Sequence, residues 1–304
     1  MRALVTGGAG FIGSNLVDAL LERGDEVTAV DNITTGRREN LSGAGAELVE
    51  ADIRDGEAMS DLVARVAPET IFHLAAQVDV RRSAADPAFD AGVNVVGTIN
   101  MLETARATGT PRFVNASTGG AIYGEPEEIP APESHPNAPE APYGQSKFAA
   151  EGYLDLYRRL HGLSTVSTRF GNVYGPRQDP LGEAGVIAIF CGKLLEGEPA
   201  TIFGDGRQTR DYVYVGDVVA AVLAAGASEH GGAFNVGMGV QTDLLEVAEV
   251  LREVSGKPFE VEHAPERPGE VRHIALDASR ARDELGWRAE VGVREGLERT
   301  LDSL

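Results

Sequence analysis

Cysteine is almost missing from this chain. Cys191 is the only one in 304 residues, so no internal disulfide can form. Its apolar neighbours Ile187, Ile189 and Phe190 predict a small buried hydrophobe rather than a nucleophile. Lysine is scarce too: of 27 basic residues only Lys147, Lys193 and Lys257 are lysines. Acidic side chains dominate, and a formal net charge of −20 argues against a nucleic-acid partner, whose phosphates would be repelled. Acidic excess with little lysine fits a salt-adapted cytosol and a GC-rich genome equally. No run approaches the roughly 20 apolar residues that span a bilayer, so no membrane contact is expected. The opening residues Met1 to Thr6 run straight into a strand pattern without the succession of a signal peptide, which makes the cytoplasm the expected location. The six histidines (73, 135, 161, 230, 263 and 273) have no ligand spacing, and no metal is expected.

What is abundant is glycine, 37 residues of it, much of it punctuating short apolar runs. Strand-like runs at 3–5, 27–30, 47–50, 70–74 and 113–115 alternate with helical patterns at 12–23, 94–107 and 143–160. In the first helix Ile12, Leu16 and Leu20 share a face, and Gly24 can end it. Such alternation predicts an α/β fold with a doubly wound parallel sheet covered on both faces. Beyond Pro176 the pattern changes to Gly- and Pro-rich connectors, a helix at 186–195, a short strand at 201–203, and two or three helices after 242. The segment 212–225 reads as one more strand and helix of the first type. The expected division is a nucleotide-binding domain of residues 1–168 plus a returning 211–237, and a smaller mixed α/β domain of 169–210 plus 238–304.

Thr6-Gly7-Gly8-Ala9-Gly10-Phe11-Ile12-Gly13 follows the first strand and opens the first helix. Gly7 permits a tight turn, Gly10 lets backbone approach a pyrophosphate, and Gly13 allows helix to pack closely on strand. The helix N-terminus adds free N–H groups and partial positive charge. Asp31 ends the second strand eighteen residues past Gly13, where a carboxylate holds a ribose diol and repels a 2′-phosphate. A Rossmann-type domain binding NAD rather than NADP follows, with Arg37 and Arg38 the residues that could accommodate a phosphate instead.

Tyr143-Gly144-Gln145-Ser146-Lys147 sets a phenol and an ammonium one helical turn apart on one face. A free tyrosine is a poor base at neutral pH, but a nearby lysine and the positive nicotinamide both favour its phenolate, each unit requiring about 1.4 kcal/mol. Such a group can take a proton from a sugar hydroxyl while hydride leaves the same carbon. Ser117 and Thr118 end a strand on the ligand side of the sheet, where either hydroxyl can assist.

Together with Asp52-Ile53, His73-Leu74-Ala75-Ala76, Asn94, the run 117–124 (STGGAIYG) and the run 169–177 (RFGNVYGPR), these motifs resemble the extended short-chain dehydrogenase/reductases over essentially the whole chain. Within that group the chain is similar to the UDP-glucose 4-epimerases. The resemblance implies that Gly7, Gly10, Phe11, Ile12, Gly13, Asp31, Asn32, Thr35, Gly36, Asp52 and Ile53 surround the adenosine and pyrophosphate of NAD. Leu74, Ala75, Ala76 and Gln77 would lie along the cofactor, and Asn94 would support it. Tyr143 and Lys147 would be catalytic with Ser117 or Thr118. A UDP-sugar would meet Asn172, Arg210 and Arg267, with Thr201, Ile202 and Phe203 at the uracil. Two arginines suit a diphosphate. The resemblance also implies a homodimer, built as a four-helix bundle from the helices 94–107 and 143–160, which carry Met101, Leu102, Leu154, Leu156 and Leu160 on more than one face.

Two positions depart from the family: Val78 stands where many epimerases carry a lysine, and Gly119 where many carry a serine. The 4,6-dehydratases need an Asp-Glu pair after the strand-end threonine, and Gly119-Gly120 stands there instead. A uronate epimerase or decarboxylase would need a carboxylate clamp that the sequence does not display. A non-catalytic NAD sensor would have little use for both Tyr143 and Lys147. At the position where the family's tyrosine restricts the sugar's C2 substituent, this chain has Ile274, which implies room for an N-acetyl group.

Overall fold

The computed structural model describes residues 1–43, 45–180, 185–266 and 271–304. In chain order the first half comprises β1 (Arg2–Thr6), α1 (Phe11–Glu22), β2 (Glu26–Asp31), β3 (Glu47–Glu50), α2 (Gly56–Val66), β4 (Thr70–His73), α3 (Val80–Ala85), α4 (Pro87–Ala91), a π-helical turn (Gly92–Gly97), α5 (Thr98–Thr108), β5 (Arg112–Thr118), a short α6 (Gly119–Ile122), α7 (Pro142–His161) and β6 (Ser164–Phe170). The second half holds β7 (Asn172–Tyr174), α8 (Val186–Glu196), β8 (Ala200–Phe203), β9 (Thr209–Arg210), β10 (Tyr212–Tyr214), α9 (Val215–Ala227), β11 (Gly232–Val236), β12 (Thr242–Asp243), α10 (Leu244–Ser255), β13 (Val261–Ala264), α11 (Ser279–Leu285) and α12 (Val293–Asp302). Among the described residues no helix is long and apolar enough to cross a membrane.

Seven strands form one parallel sheet in the order β11-β6-β5-β4-β1-β2-β3. Winding reverses between β1 and β4, and a doubly wound sheet opens its ligand crevice at the carboxyl ends of the strands on either side of that reversal. Side-chain alternation along the strands feeds two cores. Leu4, Ile71 and Phe113 face Met59, Leu62, Met101, Leu102 and Leu154 of α2, α5 and α7. Ala3, Val5, Phe72 and Val114 face Leu16, Leu20, Val218 and Val222 of α1 and α9. Each such buried side chain contributes about 1.5–3 kcal/mol, and the two faces hold the crevice rigid between them. Cys191 is fully buried in the second of these cores, where burial pushes its thiol up to about 12.

The structure differs from the sequence reading in three places. The segment expected as a helix from 94 begins instead as a π-helical turn flanked by Gly92 and Gly97, and becomes α-helical only at Thr98. β10 does not join the main sheet; it pairs with β7 in a separate two-stranded sheet, and β11 forms the seventh main strand. β11 reads Gly-Ala-Phe-Asn-Val, too short and too mixed for periodicity to reveal. Outside the main sheet, β8 pairs with β13 and β9 with β12.

Candidate functional site

The glycine loop leaves β1 and turns at Gly7, whose φ of +70° favours glycine and whose added Cβ would lie 2.7 Å from the backbone N of Ala75. At Gly13 an added Cβ would come within 2.0 Å of the Gly7 carbonyl oxygen, so helix and turn pack backbone to backbone. No side chain caps α1, which leaves its N-terminus to a ligand. Asp31 is buried at the end of β2. Its carboxylate accepts from the backbone N–H of Ala9 (3.0 Å) and of Ile33 (2.8 Å), while burial raises its pKa. Asp52 is clamped by Arg54 at 2.7 Å and accepts from Asn32, which holds it well below the usual carboxylate range. Arg37 pairs with Asp179 and Arg38 with Glu50, so both guanidinium groups are already matched by carboxylates.

These groups line a cleft of about 730 Å³ that runs from Asp31 to Tyr143 and Lys147, within the usual size of small-molecule sites. Of the residues expected at the cofactor, Gly7, Gly10, Phe11, Ile12, Gly13, Asp31, Asn32, Thr35, Gly36, Asp52, Ile53, Leu74, Ala75 and Ala76 line it. Val78, a departure from the family, lines it too. Gln77 and Asn94 stand behind the wall: Asn94 accepts from Gln77 N–H at 2.9 Å and donates to the Gln77 carbonyl at 2.9 Å. The sequence reading missed the opposite wall, where Phe170, Val173, Arg177, Gln178 and Asp179 come from the chain leaving β6. Arg177 has a φ of +71° and pairs with Asp18 of α1, while Asn15 donates to the Pro176 carbonyl (3.2 Å), so α1 itself anchors this return. No local pattern marked it: the crevice opens between β1 and β4, and the segment after β6 reaches it through its anchors on α1.

At the far end of the cleft, α7 starts with Pro142 at its first turn, and Tyr143 and Lys147 share a face one turn apart. Lys147 is buried and donates from Nζ to the Ala116 carbonyl at 2.9 Å. Burial pulls its pKa down to about 8, and burial around the Tyr143 hydroxyl pushes that group up to about 12, against a hydrogen bond with Thr118 that lowers it. In the protein alone desolvation therefore outweighs the help that a neighbouring ammonium was expected to give. Ser117 also lines the cleft, but its hydroxyl donates to Glu151 at 2.6 Å, and Glu151 is ion-paired with the buried Arg169 at 2.7 Å. Of the two candidate hydroxyls, Thr118 is the one that meets Tyr143. His73 is buried between Thr6 (2.8 Å) and Thr98 (3.1 Å), and burial pulls it down to about 3, so it stays neutral and structural.

The residues expected at the sugar nucleotide are not gathered in this cleft. Asn172 begins β7, and a Cβ on Gly120 would lie 3.5 Å from its side-chain oxygen and 3.9 Å from Thr118 Oγ1, which places Asn172 near Thr118. Thr201 is exposed, Ile202 is core and Phe203 half-buried on β8. Arg210 is half-buried on β9 and donates to its neighbour's carbonyl. Arg267 lies outside the described residues. Ile274 is 1% exposed in a small cluster with Tyr123, Ala131 and Leu276.

The chain, which sets a glycine turn, a buried strand-end carboxylate and a Tyr/Lys pair along one cleft, matches a family model described as GDP-mannose 4,6 dehydratase over residues 4–300. The chain belongs to the extended short-chain dehydrogenase/reductase family. It is 49% identical to the UDP-glucose 4-epimerase of Mycolicibacterium smegmatis, over 99% of this chain and 98% of that one. Among solved structures it is similar to the UDP-glucose 4-epimerase of Thermotoga maritima with UDP-glucose (TM-score 0.97, 45% identity, 100% of this chain and 98% of that one). It is also similar to the UDP-glucose 4-epimerase of Thermus thermophilus in complex with NAD (TM-score 0.94, 47% identity, 100% and 98%). The cradle at Gly7 and Gly13, with Asp31 beyond it, fits the dinucleotide that the Thermus thermophilus relative holds.

Proposed function

We propose that the protein is an NAD-dependent 4-epimerase of UDP-hexoses that interconverts UDP-glucose and UDP-galactose. The observation that carries this reading is the Tyr143/Lys147 pair at the end of an NAD-sized cleft, with Thr118 next to Tyr143 and no acid or base at the following Gly119 and Gly120. Bound NAD supplies a hydride acceptor that later returns the hydride. Tyr143, as phenolate, takes the proton of the sugar's 4-hydroxyl, and C4 loses its hydride, giving a 4-keto sugar. The keto sugar turns over, hydride returns to its other face, and Tyr143 gives the proton back to the oxygen. Lys147 favours the phenolate by charge, and Thr118 orients the phenol by its hydrogen bond. No group beyond these is required, whereas a dehydratase also needs a second acid and a carboxylate base.

The nucleotide's diphosphate is assigned to Asn172, Arg210 and Arg267, and its uracil to the backbone of 201–203. Turnover of UDP-N-acetylglucosamine is expected alongside on the resemblance that puts Ile274 where a restricting tyrosine stands, although Ile274 packs against Tyr123, Ala131 and Leu276 and does not line the cleft. The test is a product panel with UDP-glucose, UDP-galactose, their N-acetyl forms and dTDP-glucose. Interconversion of the UDP-glucose pair is the expected result; a 4-keto-6-deoxy product from dTDP-glucose, or no interconversion at all, overturns the reading.

The protein is further expected to work as a homodimer. Met101, Leu102 and Leu154 are consumed in the chain's own core, but Val80 (47%), Val96 (51%), Tyr153 (37%) and Leu160 (64%) remain exposed on α3, the π-helical turn and α7. Val96, Tyr153 and Leu160 are apolar residues on the helices from which a four-helix bundle would be made, and Val80 stands on the neighbouring α3. Light scattering at micromolar concentration should give twice the chain mass, and a monomer refutes the arrangement.

A further inference from the structure

Asp90, on α4, is a carboxylate buried to 1% exposure. Its Oδ1 accepts from Gln77 Nε2 at 3.0 Å and from Asn94 Nδ2 at 3.2 Å, and its Oδ2 has no hydrogen-bond partner. Among the described residues no cation forms an ion pair with it. A charge left in that condition is expensive, so its retention calls for a compensating cation within reach of its field. Asn94 ties this carboxylate to the helix that carries Lys147. The same amide donates to Ser146 Oγ at 3.0 Å, and Ser146 directly precedes Lys147 on α7.

Lys147 is in the complementary condition. It is buried, its ammonium donates to a neutral carbonyl, and no carboxylate touches it. Two carboxylates act on it at longer range, Asp90 from α4 and Glu151 from its own helix. The charge of Glu151 is already matched by Arg169. The other groups packed around Asp90 do not neutralise it: Arg81 pairs with Asp79, and Arg82 stacks on Phe89 at 4.1 Å. His73 on β4 is neutral, Tyr143 is a phenol, and the π-helical turn contains no titratable residue.

We propose that Asp90 is the through-space counter-ion of Lys147, a positioning residue that keeps the ammonium charged inside the site and thereby sets the pH window in which Tyr143 works. The inference rests on the epimerase reading above. Its sign is definite. The negative charge favours the Lys147 ammonium and opposes the Tyr143 phenolate, so it raises both pKa values together. A bound nicotinamide cation on the same wall would make the ammonium harder still to keep, and Asp90 more necessary.

Asp90→Asn keeps the shape and the Oδ1 acceptor but removes the charge. Both limbs of the bell-shaped kcat/KM profile should move to lower pH, by about half a unit or more. Asp90→Glu, which keeps the charge, should restore the wild-type limits. A second readout needs no substrate: the tyrosinate absorbance that disappears in a Tyr143→Phe background should titrate at lower pH in Asp90→Asn. If Asp90→Asn does not fold, Asp90→Ser gives the same two readouts. A variant with a reduced rate and unmoved limits, and an unmoved absorbance titration, overturns the proposal and leaves Asp90 a packing residue. A wild type without epimerase activity overturns the function reading instead, while the absorbance titration still decides the role of Asp90.

Discussion

The two ends of the cleft are built by different means. At the Asp31 end the decisive contacts are made by backbone: Gly7 against Ala75, Gly13 against the Gly7 carbonyl, and the N–H groups of Ala9 and Ile33 on the Asp31 carboxylate. At the nicotinamide end they are side chain to side chain: Tyr143 with Thr118, Ser117 with Glu151 and Arg169, and Asp90 with Gln77 and Asn94. The first end is set by sterics and tolerates little. The second is set by charges whose values shift with burial, and it can be tuned without losing shape.

The largest effect should come from the tunable end. Tyr143→Phe removes only the proton-accepting oxygen, and turnover should fall by about a thousandfold while NAD binding is nearly unchanged. A variant that keeps a substantial fraction of activity would mean that another group is the base. At the steric end Gly13→Ala forces a Cβ against the Gly7 carbonyl, which cannot move without shifting β1. NAD affinity should weaken by about a hundredfold and the thermal midpoint should drop, as overpacking typically costs about 1–3 kcal/mol. Calorimetric titration of NAD with a thermal melt checks both, and normal binding would show that the loop yields more than its packing implies. The smallest effect is expected at Asp31. Asp31→Ser should narrow the preference for NAD over NADP by about tenfold, read from the two dissociation constants. With Arg37 and Arg38 held by Asp179 and Glu50, the variant should not become NADP-selective. Equal affinity of the wild type for both cofactors would remove Asp31 from its assigned role.

The steric end was legible in the residues because one β-α-β unit contains it. Strand, glycine turn, helix and acidic residue lie within 31 positions, and their spacing is the geometry. The Tyr143/Lys147 pair was legible for the same reason, since one helical turn fixes their relation. The choice between Ser117 and Thr118 was not. Adjacent strand residues face opposite ways, and which one meets Tyr143 depends on how α7 lies across β5. The wall formed by Phe170, Val173, Gln178 and Asp179 escaped notice because nothing local marks a chain that returns over a distant loop.

The sequence by itself therefore determined the family, the order of alternating strands and helices, the glycine turn and the Tyr143/Lys147 pair proposed here as catalytic, all features encoded over a few dozen residues. Tertiary structure alone decided that β10 leaves the main sheet and β11 completes it. It also decided that Met101, Leu102 and Leu154 belong to the core, and that the buried Asp90 is tied through Asn94 to Ser146, next to Lys147 on α7. The physical reason is common to all three. Burial, and with it the strength of a charge and the fate of an apolar side chain, is a property of how elements pack, and periodicity along one element does not specify its neighbours.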